Sequence, residues 1–121
     1  MRVLLVEDNR DTLASLAAAL RFEKYDVVTA PDGHIALEMA KLYPPDIVLL
    51  DIGLPGMDGY EVAKELRKQK PNLYIAAVTG YGTPADKQRA TEAGFDAHLT
   101  KPAHPVSIIK LLDDFESKLK N

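Results

Sequence analysis

Residues 47–51 read Ile47-Val48-Leu49-Leu50-Asp51, four apolar positions in succession closed by a carboxylate. A strand with one face in water alternates polar and apolar side chains. A run that is apolar on both faces therefore fits a strand covered by helices on each side, as in parallel sheets. Four more strands are predicted around it: Val3 to Val6, Asp26 to Thr29, Tyr74 to Val78 and Ala97 to Thr100. Between them, apolar residues recur at helical spacing, as at Leu13, Leu16, Ala17 and Leu20, or Ile108, Leu111, Leu112, Phe115 and Leu119. The pattern is five successive βα units.

Helix boundaries are marked by residues that can satisfy terminal backbone groups. Asn9 or Asp11 can start the first helix and Asp32 the second, while the third begins near Gly59 and runs through Val62, Ala63 and Leu66 to about Gln69, ahead of Pro71. Thr83-Pro84 with Asp86 suits the start of a fourth helix and Gly94 its stop, and His104-Pro105 suits the start of a fifth. Right-handed crossovers leave few topologies for such a chain, and the commonest at this size is a flavodoxin-like, doubly wound five-stranded parallel sheet in the order 2-1-3-4-5. Ligands bind such sheets outside the carboxyl ends of the strands where strand order reverses, here between the first and third strands.

Composition narrows the function. The 121 residues suit one domain covering 1–121, large enough to bury its own core. There is no cysteine, so neither disulfides nor thiolate metal sites are available, and no secretory leader is recognisable; a cytoplasmic location is expected. The apolar runs are far shorter than the roughly 20 residues that cross a bilayer, so no membrane insertion is expected. A net charge of −3 gives no basic footprint, and direct nucleic acid binding is not expected.

The predicted carboxyl edge collects Glu7 and Asp8 after the first strand, Asp51 after the third, Thr79 after the fourth and Lys101 after the fifth. Singly, each has an ordinary loop explanation as a cap, a turn residue or a solvated charge. Together, three carboxylates within about 5 Å repel by roughly 3 kcal/mol per pair at an effective dielectric near 20, which calls for a cation. A donor set of carboxylate and carbonyl oxygens favours Mg²⁺, with Mn²⁺ also admissible, and fits zinc poorly. Carboxylate-held metal beside a hydroxyl and a lysine is equipment for phosphoryl transfer, and the nucleophile can itself be a carboxylate. Asp51, closing the central strand, is the candidate acceptor. Glu7 and Asp8 would hold the metal, and Thr79 and Lys101 the phosphoryl oxygens.

VLLVEDN at residues 3–9, IVLLDIGLPGMDGYE at 47–61, VTGYG at 78–82 and HLTKP at 98–102 together resemble the receiver domains of response regulators in two-component signalling, over essentially the whole chain. The likeness is to chemotaxis-regulator-type receivers, and the loop wording is also similar to receivers attached to hybrid sensor histidine kinases. The resemblance implies a phosphorylation-activated switch whose Asp51 accepts a phosphoryl group from phosphohistidine of a histidine kinase or histidine phosphotransfer domain. Such a protein catalyses its own phosphorylation and dephosphorylation and no separate metabolic reaction. The implied metal ligands are the side chains of Asp8 and Asp51 and the carbonyl of Gly53, with Glu7 acting through water. Thr79 becomes the switch hydroxyl, Lys101 pairs with a phosphoryl oxygen, and Lys101 and Pro102 are expected to share a cis peptide. Gly53 and Tyr81 occupy positions that govern water access to the acyl phosphate. The implied output surface is built from the fourth helix, fifth strand and fifth helix, and meets a partner or attached domain that the residues do not identify.

One position departs from the pattern. Three residues before Lys101, where well-known receivers carry Tyr or Phe, this chain has His98. The plain reading is a partly buried strand residue with a backbone partner; the sharper one is that the imidazole makes the same inward rotation on activation and couples output to pH. Rival functions fare worse. A flavodoxin or nucleotide carrier would need a glycine-rich turn after the first strand, where Glu7 and Asp8 would repel phosphate. An aspartate-based phosphatase would need a second carboxylate where Gly53 stands. A purely structural module would leave the acceptor, metal and switch residues unexplained.

Overall fold

The computed structural model describes residues 1–54, 56–80, 88, 89, 91–101 and 103–120. The strands are β1 (Arg2–Val6), β2 (Asp26–Ala30), β3 (Ile47–Asp51), β4 (Tyr74–Thr79) and β5 (Ala97–Thr100). They form one sheet in the order β2-β1-β3-β4-β5, all neighbours parallel, as the sequence predicts. The helices are α1 (Arg10–Phe22), α2 (Gly33–Leu42), α3 (Gly59–Gln69) and a C-terminal helix (Pro105–Lys120). Gln88, Arg89, Thr91 and Glu92 are also helical. The predicted helix start at Thr83, Pro84 and Asp86 lies outside the described residues, as does Tyr81.

The doubly apolar strands split their side chains between two cores. Leu4, Val6, Val48, Leu50, Ile75 and Ala77 point to one face, where Ala36 and Ala40 of α2 and Val62, Ala63 and Leu66 of α3 cover them. Val3, Leu5, Ile47, Leu49 and Ala76 point to the other, against Ala17 and Leu20 of α1 and Ile108 and Leu112 of the C-terminal helix. Period-two alternation within each strand supplies both layers, which is why IVLL carries no polar residue.

The caps fix where each helix begins relative to the sheet edge. Asn9, rather than Asp11, caps α1, its Oδ1 accepting the Thr12 N–H at 3.0 Å; Asp11 falls inside the first turn. Asp32 caps α2 through the Ile35 N–H at 2.9 Å, and Asp58 caps α3 through the Glu61 N–H at 2.9 Å. α1 ends with Lys24 at φ 71 and a Tyr25 N–H to Leu20 carbonyl bond of 3.2 Å, a left-handed closure usually given to glycine. Gly94, at φ 94, makes the turn into β5, as expected of a helix stop.

Candidate functional site

Strand register brings the predicted residues together. Val6 pairs with Leu50, so Glu7 and Asp51, one step on, emerge side by side. Asp51 pairs with Val78, and Thr79 with Thr100, so Thr79 and Lys101 emerge on the neighbouring ends. The Lys101 N–H closes this edge by donating to the Thr79 carbonyl at 2.6 Å.

Glu7, Asp8 and Asp51 form a compact acidic group in which one carboxylate oxygen from each lies within 4.8 Å of the others. Glu7 and Asp51 are buried and Asp8 is exposed. Facing them is, among the described residues, one ammonium: Lys101 Nζ lies 2.8 Å from Asp51 Oδ2 and 3.8 Å from Glu7 Oε2. The other Asp51 oxygen, Oδ1, accepts the Gly53 N–H at 3.0 Å, and the Asn9 N–H reaches Glu7 Oε1 at 3.3 Å. Thr79 is buried beside them. A cleft of about 660 Å³, lined in part by Glu7, Asp8, Thr12, Gly80 and Lys101, opens above the group.

The electrostatics record the excess of negative charge. Burial, then a hydrogen bond to Asp51 and its charge, push the Glu7 carboxyl up from 4.5 to about 7, against the smaller opposing pull of Lys101. Burial acts to lower the Lys101 ammonium, but the hydrogen bond and charge of Asp51, with Glu7 and Asp8 behind them, outweigh it and hold Lys101 above its ordinary value. One cation cannot neutralise three carboxylates. The donor set is all oxygen, with no imidazole or thiolate in the group, and fits Mg²⁺.

A family model for the response regulator receiver domain matches residues 3–113. The chain belongs to that family. It is 39% identical over 109 residues to the cell cycle response regulator CtrA of Brucella ovis, an alignment covering 90% of this chain and 47% of the relative. The chain thus spans about half the length of the curated relatives it matches. The solved CheY-like receiver domain of Methanospirillum hungatei is 32% identical with a TM-score of 0.84, covering 98% of this chain and 93% of that one. Chemotaxis protein CheY4 of Vibrio cholerae is 30% identical with a TM-score of 0.88, covering 93% and 96%. As a receiver domain, the chain is a module of phosphorylation-activated two-component signalling, a family whose acidic pocket binds Mg²⁺ and which works with a phosphodonor kinase.

Of the receiver residues named from sequence, Glu7, Asp8, Asp51, Gly53, Thr79 and Lys101 all lie at this one edge. Pro102, and with it the predicted cis peptide, falls outside the described residues. His98 lies within β5 opposite Ala77, and its Nε2 is a buried side-chain atom without a hydrogen-bond partner among the described residues. His98 is thus a half-buried strand residue, as in the plain reading, but the backbone partner is not found at Nε2. His34 and His104 are exposed. Two contributions were missed from sequence: the Asn9 N–H on Glu7 and the pairing of Lys101 with Asp51 before any phosphate arrives. The first is a main-chain group and has no residue signature. The second was open to inference from charge alone. No described helix is long and apolar enough to cross a membrane.

Proposed function

We propose that Asp51 is the phospho-acceptor of this receiver and that it takes its phosphoryl group from the phosphohistidine of a histidine kinase or histidine phosphotransfer domain. The observation that carries this reading is the 2.8 Å contact between Asp51 Oδ2 and Lys101 Nζ inside a group that also holds Glu7 and Asp8 within 4.8 Å. A carboxylate nucleophile, an ammonium and an oxygen-only metal site then meet at one point.

An Asp51 oxygen forms the new O–P bond while the donor's P–N bond breaks, and the electron pair leaves with the imidazole nitrogen. The Gly53 N–H orients the carboxylate by holding Oδ1. Lys101, already at Oδ2, has only to transfer its contact to an incoming phosphoryl oxygen, so its charge is in place before reaction. The Asp8 and Asp51 carboxylates and the Gly53 carbonyl would hold Mg²⁺ (or Mn²⁺), with Glu7 acting through water. When bound, the metal neutralises charge shared between the carboxylates and the phosphoryl oxygens. Thr79 donates its hydroxyl to the phosphoryl group.

The modification adds up to two negative charges and three acceptor oxygens, enough to draw Thr79 and Lys101 into a new arrangement. We assign the readout to the surface around Gln88 to Glu92, β5 and the C-terminal helix, acting on an output partner or attached domain in the cytoplasm. His98 serves as the rotating residue. Its unpartnered Nε2 supports this, because a buried orphan nitrogen costs about 1–3 kcal/mol and lowers the barrier to leaving that position. An unchanged His98 rotamer between the resting and beryllofluoride-bound protein would remove it from the switch.

The deciding experiment is intact mass after incubation with acetyl phosphate and Mg²⁺. The parent protein gains one phosphoryl group, while Asp51→Asn and the parent in EDTA do not. Absence of both a phosphoryl adduct and beryllofluoride binding in the parent overturns the proposal.

A further inference from the structure

At the end of the sheet away from the acidic site, α2 and α3 enclose an apolar groove. The helices are pinched where they begin: a Cβ added to Gly33 would come within 2.6 Å of Val62 Cγ2. Farther along the same stripe the contact opens. A cavity of about 410 Å³ lies between Ala40 and Leu66, with Pro44, Pro45 and Leu73 completing its apolar wall. That volume is within the range that accepts a bulky side chain or small ligand.

The rim gives the groove a sign. Among the described residues its polar lining is Lys41, Gln69 and Lys70, with no carboxylate, on a chain whose net charge is −3. Lys70 Nζ is held at the groove by donating to the Pro45 carbonyl at 2.9 Å, which lowers the ordering cost of a further contact. Neither Glu65, paired with Lys68 at 3.1 Å, nor Asp46, which keeps its charge while accepting the Arg2 main-chain N–H at 2.8 Å, lines the cavity. Leu42, 66% exposed, and Tyr43, 48% exposed, lie in the chain between Lys41 and Pro44 of the lining. An apolar cavity with a charged rim is a candidate binding site.

We propose that this groove docks an acidic peptide segment of a partner protein, an apolar side chain entering between Ala40 and Leu66 while flanking carboxylates meet Lys41 and Lys70. The interaction is separate from the carboxyl-edge site and does not depend on phosphorylation of Asp51. Rim charge makes it salt-sensitive.

The probe is an acetylated hexapeptide of two glutamates, leucine, phenylalanine and two glutamates, titrated into the ¹⁵N-labelled full chain. Amide shifts should concentrate at Leu42, Leu66 and Gln69. Affinity should fall at least tenfold with Lys41→Glu, with Ala40→Met filling the cavity, or with alanines replacing the two apolar peptide residues. Because Ala40→Met could perturb the fold, Lys41→Glu, at an exposed position, is the deciding variant, with unchanged thermal midpoint as its control. No binding, equal affinity for a lysine-flanked peptide, or shifts centred elsewhere overturns the proposal. So does sedimentation that shows two copies of this chain associating through the groove and excluding the peptide.

Discussion

The two ends of the sheet use charge in opposite ways. At the carboxyl end, three acidic side chains share one lysine, and Glu7 is driven up to about 7. At the other end, Arg67 makes four hydrogen bonds: its Nη1 donates to the Pro71 carbonyl at 3.1 Å and to the Leu73 carbonyl, and its Nη2 to the Gly94 carbonyl and, at 2.9 Å, to Asp96 Oδ2. Asp96 Oδ2 also accepts the Ile75 N–H at 2.8 Å, which ties the turn before β5 to the start of β4. A satisfied network holds the fold, whereas an unsatisfied one costs stability and is available to a ligand.

The largest test of that contrast removes the acceptor. Asp51→Asn should abolish phosphoryl uptake from acetyl phosphate, read by intact mass, while leaving the fold intact. Arg67→Ala should do the reverse. It strands the part-buried Leu73 carbonyl, removes the Asp96 ion pair and deletes the bonds to Pro71 and Gly94, with an expected loss of about 2–3 kcal/mol in chemical denaturation. Under native conditions its extent of phosphorylation should match the parent. If Arg67→Ala instead blocked phosphorylation without loss of stability, the division of labour between the two ends would be wrong.

Much of this was legible in the sequence because the relevant signals are side-chain signals. IVLL announced a strand buried on both faces, and once five βα units were counted, topology alone carried Glu7, Asp51, Thr79 and Lys101 to one edge. The cap at Asp32 was readable because a single candidate stood there. Asn9 and Asp11 were not separable, since either side chain can accept a backbone N–H and only the position of the first turn decides. The Arg67 network was illegible for a different reason. Three of its four partners are backbone carbonyls, which every residue carries. The Tyr25 hydroxyl to Asp113 Oδ1 bond spans 88 positions and involves two residues with ordinary local explanations.

A smaller effect sharpens the contrast through pH. Glu7 has a folded value near 7, above its ordinary 4.5, so the folded state favours the protonated carboxyl. Its contribution to stability is present in full below about pH 4.5 and is lost as pH rises through 7. In EDTA, the stability of the parent should therefore fall across this window by about 2 kcal/mol, allowing for the proton Glu7 shares with Asp51. Glu7→Gln should flatten the slope, and saturating Mg²⁺ should reduce it by offsetting the charge that accumulates. Identical profiles for the parent and Glu7→Gln would mean that the acidic edge carries no such cost.

The smallest expected effect belongs to a contact outside both networks. The buried Tyr25 hydroxyl donates to Asp113 on the C-terminal helix, joining the start of β2 to the middle of that helix. Tyr25→Phe keeps the ring and returns the exposed Asp113 carboxylate to water, so a loss of about 1 kcal/mol is expected near neutral pH. Burial first, then the hydrogen bond and charge of Asp113, raise the Tyr25 phenol above its ordinary 10.0. Folding therefore favours the neutral phenol. The stabilisation is present below pH 10 and declines above it, as the unfolded chain ionises before the folded one. The parent's advantage over Tyr25→Phe should then shrink above pH 10 and finally reverse. A difference that stayed constant to pH 11 would mean that burial and Asp113 do not hold the phenol neutral in the folded chain, since only the hydroxyl titrates.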